Sequence, residues 1–298
     1  MNQADPGSGK AMFWNVGETL REAALNLSRA GVDTPRLDAQ LLLARALGCR
    51  REDLAREPER VVSEAEQASF QEALALRARR RPLAYILGEC WFYGRELAID
   101  DSVLIPRPET EMLVDCVVNA APLGARVADI GTGSGCIAVC AALARKDITV
   151  ACVDISQSAL RLARRNIDRY ELSARVTLAH GDLFEPLSGE RFDAIVSNPP
   201  YIAPPDVPSL MPEVRDYEPA IALYENAGRD GLSYYRRLFA QAAAFLTQGG
   251  WMAVEAGAGQ ADEIVRIARQ AGYNDIEIRL DGAGIERVVI GRLPGKAV

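Results

Sequence analysis

The segment Val196-Ser-Asn-Pro-Pro-Tyr-Ile202 sets a side-chain amide, two prolines and an aromatic ring directly after the apolar run Phe192–Val196, which the pattern predicts to be a short buried strand. Three further constellations precede it. In Val127-Ala-Asp-Ile-Gly-Thr-Gly-Ser-Gly-Cys136 a predicted strand runs into Gly131, Thr132, Gly133, Ser134 and Gly135, and then into a helix of small residues. Glycines at such a turn let a ligand press on backbone N–H groups and let the helix approach the sheet closely. Asp129, just before them, suits a ligand with a cationic group better than a pyrophosphate. Asp154 ends the next predicted strand, 19 residues after Gly135, where a ribose-binding carboxylate belongs. Taken alone it would be a helix N-cap.

Asp182 follows the third predicted strand and can accept from an adenine amino group, with Leu183 and Phe184 packing on the ring. In isolation Gly181-Asp-Leu-Phe184 reads equally well as an ordinary turn, and Asn-Pro-Pro as a turn that ends a strand. Together, four successive strand ends build a nucleoside pocket with Asn198 at its reacting edge. Cys136 stands where a dinucleotide fingerprint needs its last glycine, so S-adenosylmethionine fits the pattern better than NAD.

The elements that must position these residues follow from periodicity. Residues 17–80 read as helices, the third opened by a Ser63/Glu66 capping box, running through Arg80 and stopped by Pro82. Aromatic and β-branched residues with glycines at 88 and 94 predict a hairpin within 85–105. A helix follows at about 109–120. Strands are then expected at 126–130, 149–153, 175–179, 192–197, 250–255, 276–280 and 286–291, with helices near 135–145, 157–170, 230–246 and 260–271. This alternation implies an α/β, doubly wound, Rossmann-like sheet of seven strands. The last two, joined by Asp281-Gly-Ala-Gly284, should pair antiparallel. The expected domains are a disordered tail over 1–16, a helical domain over 17–84, a linking β-hairpin over 85–105 and the sheet domain over 106–298.

Composition excludes several classes. The 298 residues carry a net charge of -7, and all of the deficit falls after residue 90: the first ninety hold 13 basic and 13 acidic residues, the remainder 21 and 28. No global attraction to nucleic acid or an anionic membrane results. The run Arg77-Ala-Arg-Arg-Arg81 reads either as an RNA patch or, more simply, as a solvated helix end that complements the dipole. With one histidine, His180, and no CxxC pair among six cysteines, a zinc site or a Ser-His-Asp triad lacks raw material, and no metal is expected. The cysteines read as small buried hydrophobes of a reducing cytosol, and His180 as a strand end. Gly9-Lys10 hints at a P-loop, but Ala4 and Ala11 break that motif. Neither a secretory signal nor a membrane span is visible, so the reading is a cytoplasmic monomer.

Motifs DIGTGSG, VDIS, GDLF and SNPPYI make the chain resemble a seven-stranded, S-adenosylmethionine-dependent methyltransferase. Asn-Pro-Pro-Tyr is shared by enzymes that methylate planar nitrogens, adenine N6 in DNA or glutamine amides in protein. LIPRPETE (104–111), EVRDYEP (213–219), DGLSYYR (230–236), ERVVIGR (286–292) and LDAQLLLARALG (37–48) are similar to the HemK-type release factor glutamine-N5 methyltransferases. That resemblance implies S-adenosylmethionine as cofactor, held by residues 131–135, Asp154, Asp182, Leu183 and Asn198. It also implies a glutamine in a Gly-Gly-Gln loop of peptide-chain release factors as substrate.

On this reading the Asn198 side-chain oxygen and the Pro199 carbonyl accept from the substrate NH2, within a loop stiffened by Pro200, while Tyr201 packs on the amide plane. Leu183 departs from relatives that place an aromatic ring against adenine. An adenine-N6 DNA or RNA methyltransferase is the alternative, and it wants a basic substrate face. A non-enzymatic scaffold with the same fold is the third reading.

Overall fold

The computed structural model describes residues 14–224 and 230–294. The Gly9-Lys10 segment and most of the expected tail lie outside them. The chain divides into two compact units, Met1–Leu87 and Gly88–Val298.

The first unit is helical: α1 (Val16–Arg29), α2 (Pro35–Leu47), α3 (Arg51–Arg56), α4 (Glu64–Ala78) and α5 (Leu83–Leu87). Trp14, Asn15 and Val16 are folded rather than part of a tail. Asn15 caps α1 through a reciprocal box with Glu18, the Trp14 carbonyl accepts from the Val62 N–H, and Val16 is buried. The Ser63/Glu66 box opens α4 as expected, but that helix stops at Ala78, short of Arg80, whose φ is +68°. Pro82 does not end helical structure. It opens α5, where Leu83, Ile86 and Leu87 pack on the core of α1, α2 and α4, which leaves the hairpin only 89–98.

The arginine run is not solvated throughout: Arg79 is exposed, but Arg77 is not. Arg77 is buried and its Nε donates to Asp38 Oδ2 at 2.6 Å, while Arg80 donates to the Gly31 carbonyl at 2.5 Å. Asp38 accepts in addition from Thr34 Oγ1 at 2.6 Å. A buried pair loses several kcal/mol when one partner is removed, because the other charge stays behind without compensation. Asp38→Ala should therefore destabilise this unit by about 3–5 kcal/mol. The check is urea-induced loss of helical circular dichroism, and an unchanged midpoint would contradict it.

The second unit begins with the hairpin β1 (Glu89–Phe92) and β2 (Arg95–Ala98), whose two turn residues, Tyr93 and Gly94, both have positive φ, +50° and +68°. Such a turn matches the right-handed twist of its strands. The rest is α6 (Glu111–Ala120), preceded by a 3-10 turn at Pro108–Thr110, then β3 (Arg126–Ile130), α7 (Cys136–Ala144), β4 (Thr149–Asp154), α8 (Gln157–Arg169), β5 (Val176–His180), β6 (Phe192–Ser197), α9 (Pro212–Tyr217), α10 (Ala220–Leu223), α11 (Ser233–Ala242), β7 (Leu246–Glu255), α12 (Ala261–Gln270), β8 (Asp275–Leu280) and β9 (Glu286–Arg292).

The seven strands β3 to β9 form one sheet in the order β5-β4-β3-β6-β7-β9-β8, parallel except where β9 pairs antiparallel with β7 and with β8. Both faces are covered. Val127, Val150, Val196, Trp251 and Ala253 point toward α6 and α7, while their neighbours Ala128, Val153, Ile195, Met252 and Val254 point toward α11 and α12. This explains why the strands read as unbroken apolar runs. β7 starts four residues earlier than expected, because the segment from Leu246 to Gly249 lies within it instead of ahead of it, and α11 is correspondingly shorter. Four of the six cysteines, at 116, 136, 140 and 152, are buried, and all six are free thiols. His180 ends β5 and its Nε2 meets the Ile155 carbonyl at 2.9 Å. No helix among the described residues is long and apolar enough to cross a membrane.

The chain passes from β3 outward to β4 and β5, then crosses back to β6 on the other side of β3. In a doubly wound sheet that reversal opens a crevice at the carboxyl ends of the two diverging strands.

Candidate active site

A cavity lies at this reversal. Its wall takes Ile130 to Ser134 after β3, Val153 to Ser156 after β4, Gly181 to Leu183 after β5, and Asn198 and Pro200 after β6. The glycine turn is built for shape. Gly131, Gly133 and Gly135 have φ of +74°, +55° and +76°, a region that other residues enter only with strain. Gly135 also lets α7 approach α8, since a Cβ there would lie 3.3 Å from that of Ala163.

Four of the five N–H groups of this turn already serve protein acceptors. Those of Gly131 and Thr132 donate to the Val153 carbonyl, that of Gly133 to Asp154 Oδ2, and that of Gly135 to the Thr132 carbonyl. Holding the turn uses the donors that the sequence alone had suggested for a ligand. Asp129 likewise faces inward. It is fully buried, accepts from Thr132 Oγ1 at 2.6 Å, and burial pushes its pKa to about 7. It is absent from the cavity wall.

Asp154 is on the wall. Its oxygens accept from the N–H groups of Gly133 and Ser156, each at 2.8 Å, and each oxygen keeps a further lone pair. Burial raises its pKa, and those backbone donors oppose the shift. Asp182 reaches the wall with one oxygen already paired to Arg237 of α11. Leu183 lines the cavity with φ +50°, but Phe184 does not: it is buried and stacks on Phe245 at 4.8 Å between ring centres. Successive side chains here point apart, so only one of the two apolar residues can face the cavity.

The Asn-Pro-Pro-Tyr loop is also divided. Asn198 and Pro200 line the cavity, Pro199 is buried, and Tyr201 turns away from the wall. The Tyr201 hydroxyl lies 3.5 Å from Glu255 Oε1, and its carbonyl accepts from Gln260 Nε2 at 3.0 Å. Burial pushes its pKa to about 12, so the phenol is neutral. Asn198 Nδ2 donates to Thr110 Oγ1 at 3.1 Å, and Thr110 Oγ1 donates to Glu255 Oε2 at 2.6 Å. Thr110 is on the wall, whereas Glu255 is buried behind it at the end of β7, with a pKa raised to about 7 by burial.

Similarity to known proteins agrees with this geometry. Residues 18–88 match the PrmC N-terminal domain and residues 108–210 match the methyltransferase small domain. A release factor glutamine methyltransferase of Geobacter sulfurreducens is 43% identical over 284 residues, which cover 95% of this chain and 99% of that protein. One from Gloeobacter violaceus is 46% identical over 230 residues, 74% of this chain and 80% of its own. The chain belongs to the release factor glutamine methyltransferase family. A crystal structure of a methyltransferase from Pyrococcus furiosus, at 19% identity, shares the fold with a TM-score of 0.52, covering 68% of this chain and 91% of that one.

Several residues that shape the site of this methyltransferase carry no local sequence signal. Thr110, Pro106 and Leu104 come from the segment before α6, Ile221 and Ala222 from α10, and Tyr234 from α11. The family motifs LIPRPETE and DGLSYYR contain four of these six positions without saying what they do. Arg107 and Glu218, 2.6 Å apart, tie the first of those segments to the end of α9.

Gly231 is a backbone seat for the Asn-Pro-Pro-Tyr loop. Its φ is +69°, and a Cβ there would fall 2.2 Å from the Tyr201 carbonyl oxygen. Gly257 closes the other side, where a Cβ would meet Gln260 Oε1 at 2.6 Å and the Tyr201 ring at 3.0 Å. The clash at Gly231 is with backbone and cannot be relieved without moving the loop, whereas those at Gly257 are with the side chains of Gln260 and Tyr201. Gly231→Ala should cost roughly 1–3 kcal/mol of stability from the strained φ and lower the rate about a hundredfold, as loop displacements of 1 Å do. Thermal melts and single-turnover methyl transfer measure the two effects, and a wild-type rate would remove the seat from the argument.

Proposed function

We propose that this enzyme transfers a methyl group from S-adenosylmethionine to the side-chain amide nitrogen (N5) of the glutamine in the Gly-Gly-Gln loop of peptide-chain release factors. The observation that carries this reading is Asn198. Its amide nitrogen is committed to Thr110, which leaves Oδ1 as an acceptor beside the cavity.

The residues present fit S-adenosylmethionine. Asp154 offers acceptor capacity for a ribose diol, and the unpaired oxygen of Asp182 for an adenine amino group, between the apolar sides of Ile130, Val153 and Leu183. Ser134 Oγ is buried on the same wall with no partner among the described residues, a polar atom that a ligand would satisfy. Tyr234 adds an aromatic ring on that wall where the chain has Leu183. When bound, the cofactor supplies an electrophilic sulfonium methyl group.

An amide nitrogen is a poor nucleophile because its lone pair is delocalised into the carbonyl. Asn198 Oδ1 and the Pro199 carbonyl would accept its two N–H groups and turn the lone pair toward the methyl group. Pro200 stiffens the loop, and Tyr201 packs beneath it instead of lying over the cavity. Rate then comes from positioning in a site shielded from water, with no strong base required. The helical first unit would help to grip the release factor, and the reading places the enzyme in the cytoplasm, where its substrate acts.

Radiolabelled S-adenosylmethionine and purified release factor test the assignment. Label should enter the natural factor and not one in which the target glutamine is replaced. Label on the replaced factor, or on adenine of an oligonucleotide instead, would refute it. Asp154→Asn removes the charge that strengthens a ribose hydrogen bond, worth about 1.5–3 kcal/mol, so calorimetry should show cofactor affinity weakened roughly ten- to hundredfold.

A further inference from the structure

The chain Asn198–Thr110–Glu255 has a fixed direction, and that direction decides which end of the Asn198 amide faces the substrate. A carboxylate can only accept, so the single proton of Thr110 Oγ1 goes to Glu255 Oε2, 2.6 Å away. Thr110 Oγ1 is then an acceptor toward Asn198, and the amide atom 3.1 Å from it must be the nitrogen. Oδ1 is left beside the cavity. Were the amide reversed, its NH2 would confront the NH2 of the substrate, donor against donor.

We infer that Glu255, acting through Thr110, is a positioning residue that holds the Asn198 amide with its oxygen toward the substrate. The inference rests on the role proposed above for Asn198 and assigns no contact between Glu255 and the substrate. Glu255 is 2% exposed and lies off the cavity wall, and the hydrogen-bonded path from its carboxylate to the Asn198 amide runs through Thr110. Its remaining neighbours secure it in place. The Tyr235 hydroxyl donates to its backbone carbonyl at 2.8 Å, and the Tyr201 hydroxyl lies 3.5 Å from its second carboxylate oxygen.

Protonation of Glu255 would undo the arrangement. A carboxylic acid can donate to Thr110, which frees the threonine proton to point at Asn198 and favours the reversed amide. The charged groups that face Glu255 are Glu109, from the 3-10 turn before α6, and Arg287 of β9, which also pairs with Asp281; the phenols of Tyr201 and Tyr235 stay neutral. Burial outweighs them all and brings the Glu255 pKa to about 7. The active form is the ionised one. The transfer rate should therefore fall as the pH drops through about 7.

Single-turnover methyl transfer at saturating release factor and cofactor tests this. Thr110→Val, nearly isosteric but without the hydroxyl, should lower the rate about tenfold or more, while the cofactor Kd measured by calorimetry stays within about twofold. Thr110→Ser should restore the rate to within about threefold of wild type. Glu255→Gln, which can donate or accept and does not titrate, should lack the fall near neutral pH.

A Thr110→Val enzyme with wild-type rate and pH profile would overturn the inference. So would Thr110→Ser failing as badly as the valine variant, because only packing would then be at stake. The threonine pair decides the question even where Glu255→Gln does not fold. An Asn198→Ala enzyme that still methylates would instead refute the role of Asn198 itself, an outcome distinguishable from both.

Discussion

Burying a carboxylate away from water costs several kcal/mol unless its oxygens are met by donors, and Glu255 is buried at the end of a central strand of the sheet. It ends β7, next to β6, whose own end carries Asn198. Around it the chain gathers Thr110 from the turn before α6, Tyr201 from the loop after β6 and Tyr235 from α11. These four positions are spread along the sequence, and one buried residue ties them together: its carboxylate meets Thr110 and Tyr201, and its backbone carbonyl accepts from Tyr235. The rigidity of the Asn-Pro-Pro-Tyr loop is thus only half intrinsic. The prolines stiffen it, and its seat between Gly231, Gly257 and Glu255 fixes where it points.

The opposite end of the cavity obeys the same economy of donors and acceptors. The glycine turn spends four of its five N–H groups on Val153, Asp154 and itself, so it contributes mainly curvature and leaves most polar recognition to side chains. Asp154 then has two roles that do not conflict: it closes the turn with one lone pair per oxygen and keeps another facing the cavity. Asp182 is held by Arg237, whose guanidinium also lies 5.5 Å above the Tyr234 ring. One arginine thereby links the carboxylate and the aromatic ring on that wall, which shows why α11 belongs to the site although its helix is mainly a core element.

The strands and the crevice were legible because short apolar runs and glycine turns are local signals. So was the order in which the acidic residues arrive at the strand ends. What escaped was information carried between distant positions. Thr110 and Glu255 are 145 residues apart, and nothing near either predicts the other. Phe184 and Leu183 are adjacent and both apolar, so only the backbone at Leu183, with φ +50°, could say which faces the cavity. Asp129 looked ligand-facing because it adjoins the glycines, yet a β-strand turns successive side chains to opposite faces and sends this one into the protein. Arg77 misled for a related reason: its partner, Asp38, lies on another helix. Pro82 carries an ambiguous signal, since proline both stops a helix and is at home in a first helical turn, here that of α5.

The distance of Glu255 from the cavity has a chemical logic of its own. A carboxylate in contact with a sulfonium methyl group would itself be a nucleophile, and a stronger one than an amide nitrogen whose lone pair is delocalised. An amide oxygen and a peptide carbonyl are weaker nucleophiles that still accept hydrogen bonds. Thr110 and Asn198 stand between the buried charge and the cavity, and on the proposed reading they would offer the substrate NH2 an acceptor of defined direction while keeping the carboxylate out of reach of the methyl group. The same spacing explains why a carboxylate with a pKa near 7 need not act as a base. Its proton affinity is far too low to ionise an amide N–H, but its charge state is well suited to fixing which way a neighbouring hydroxyl points.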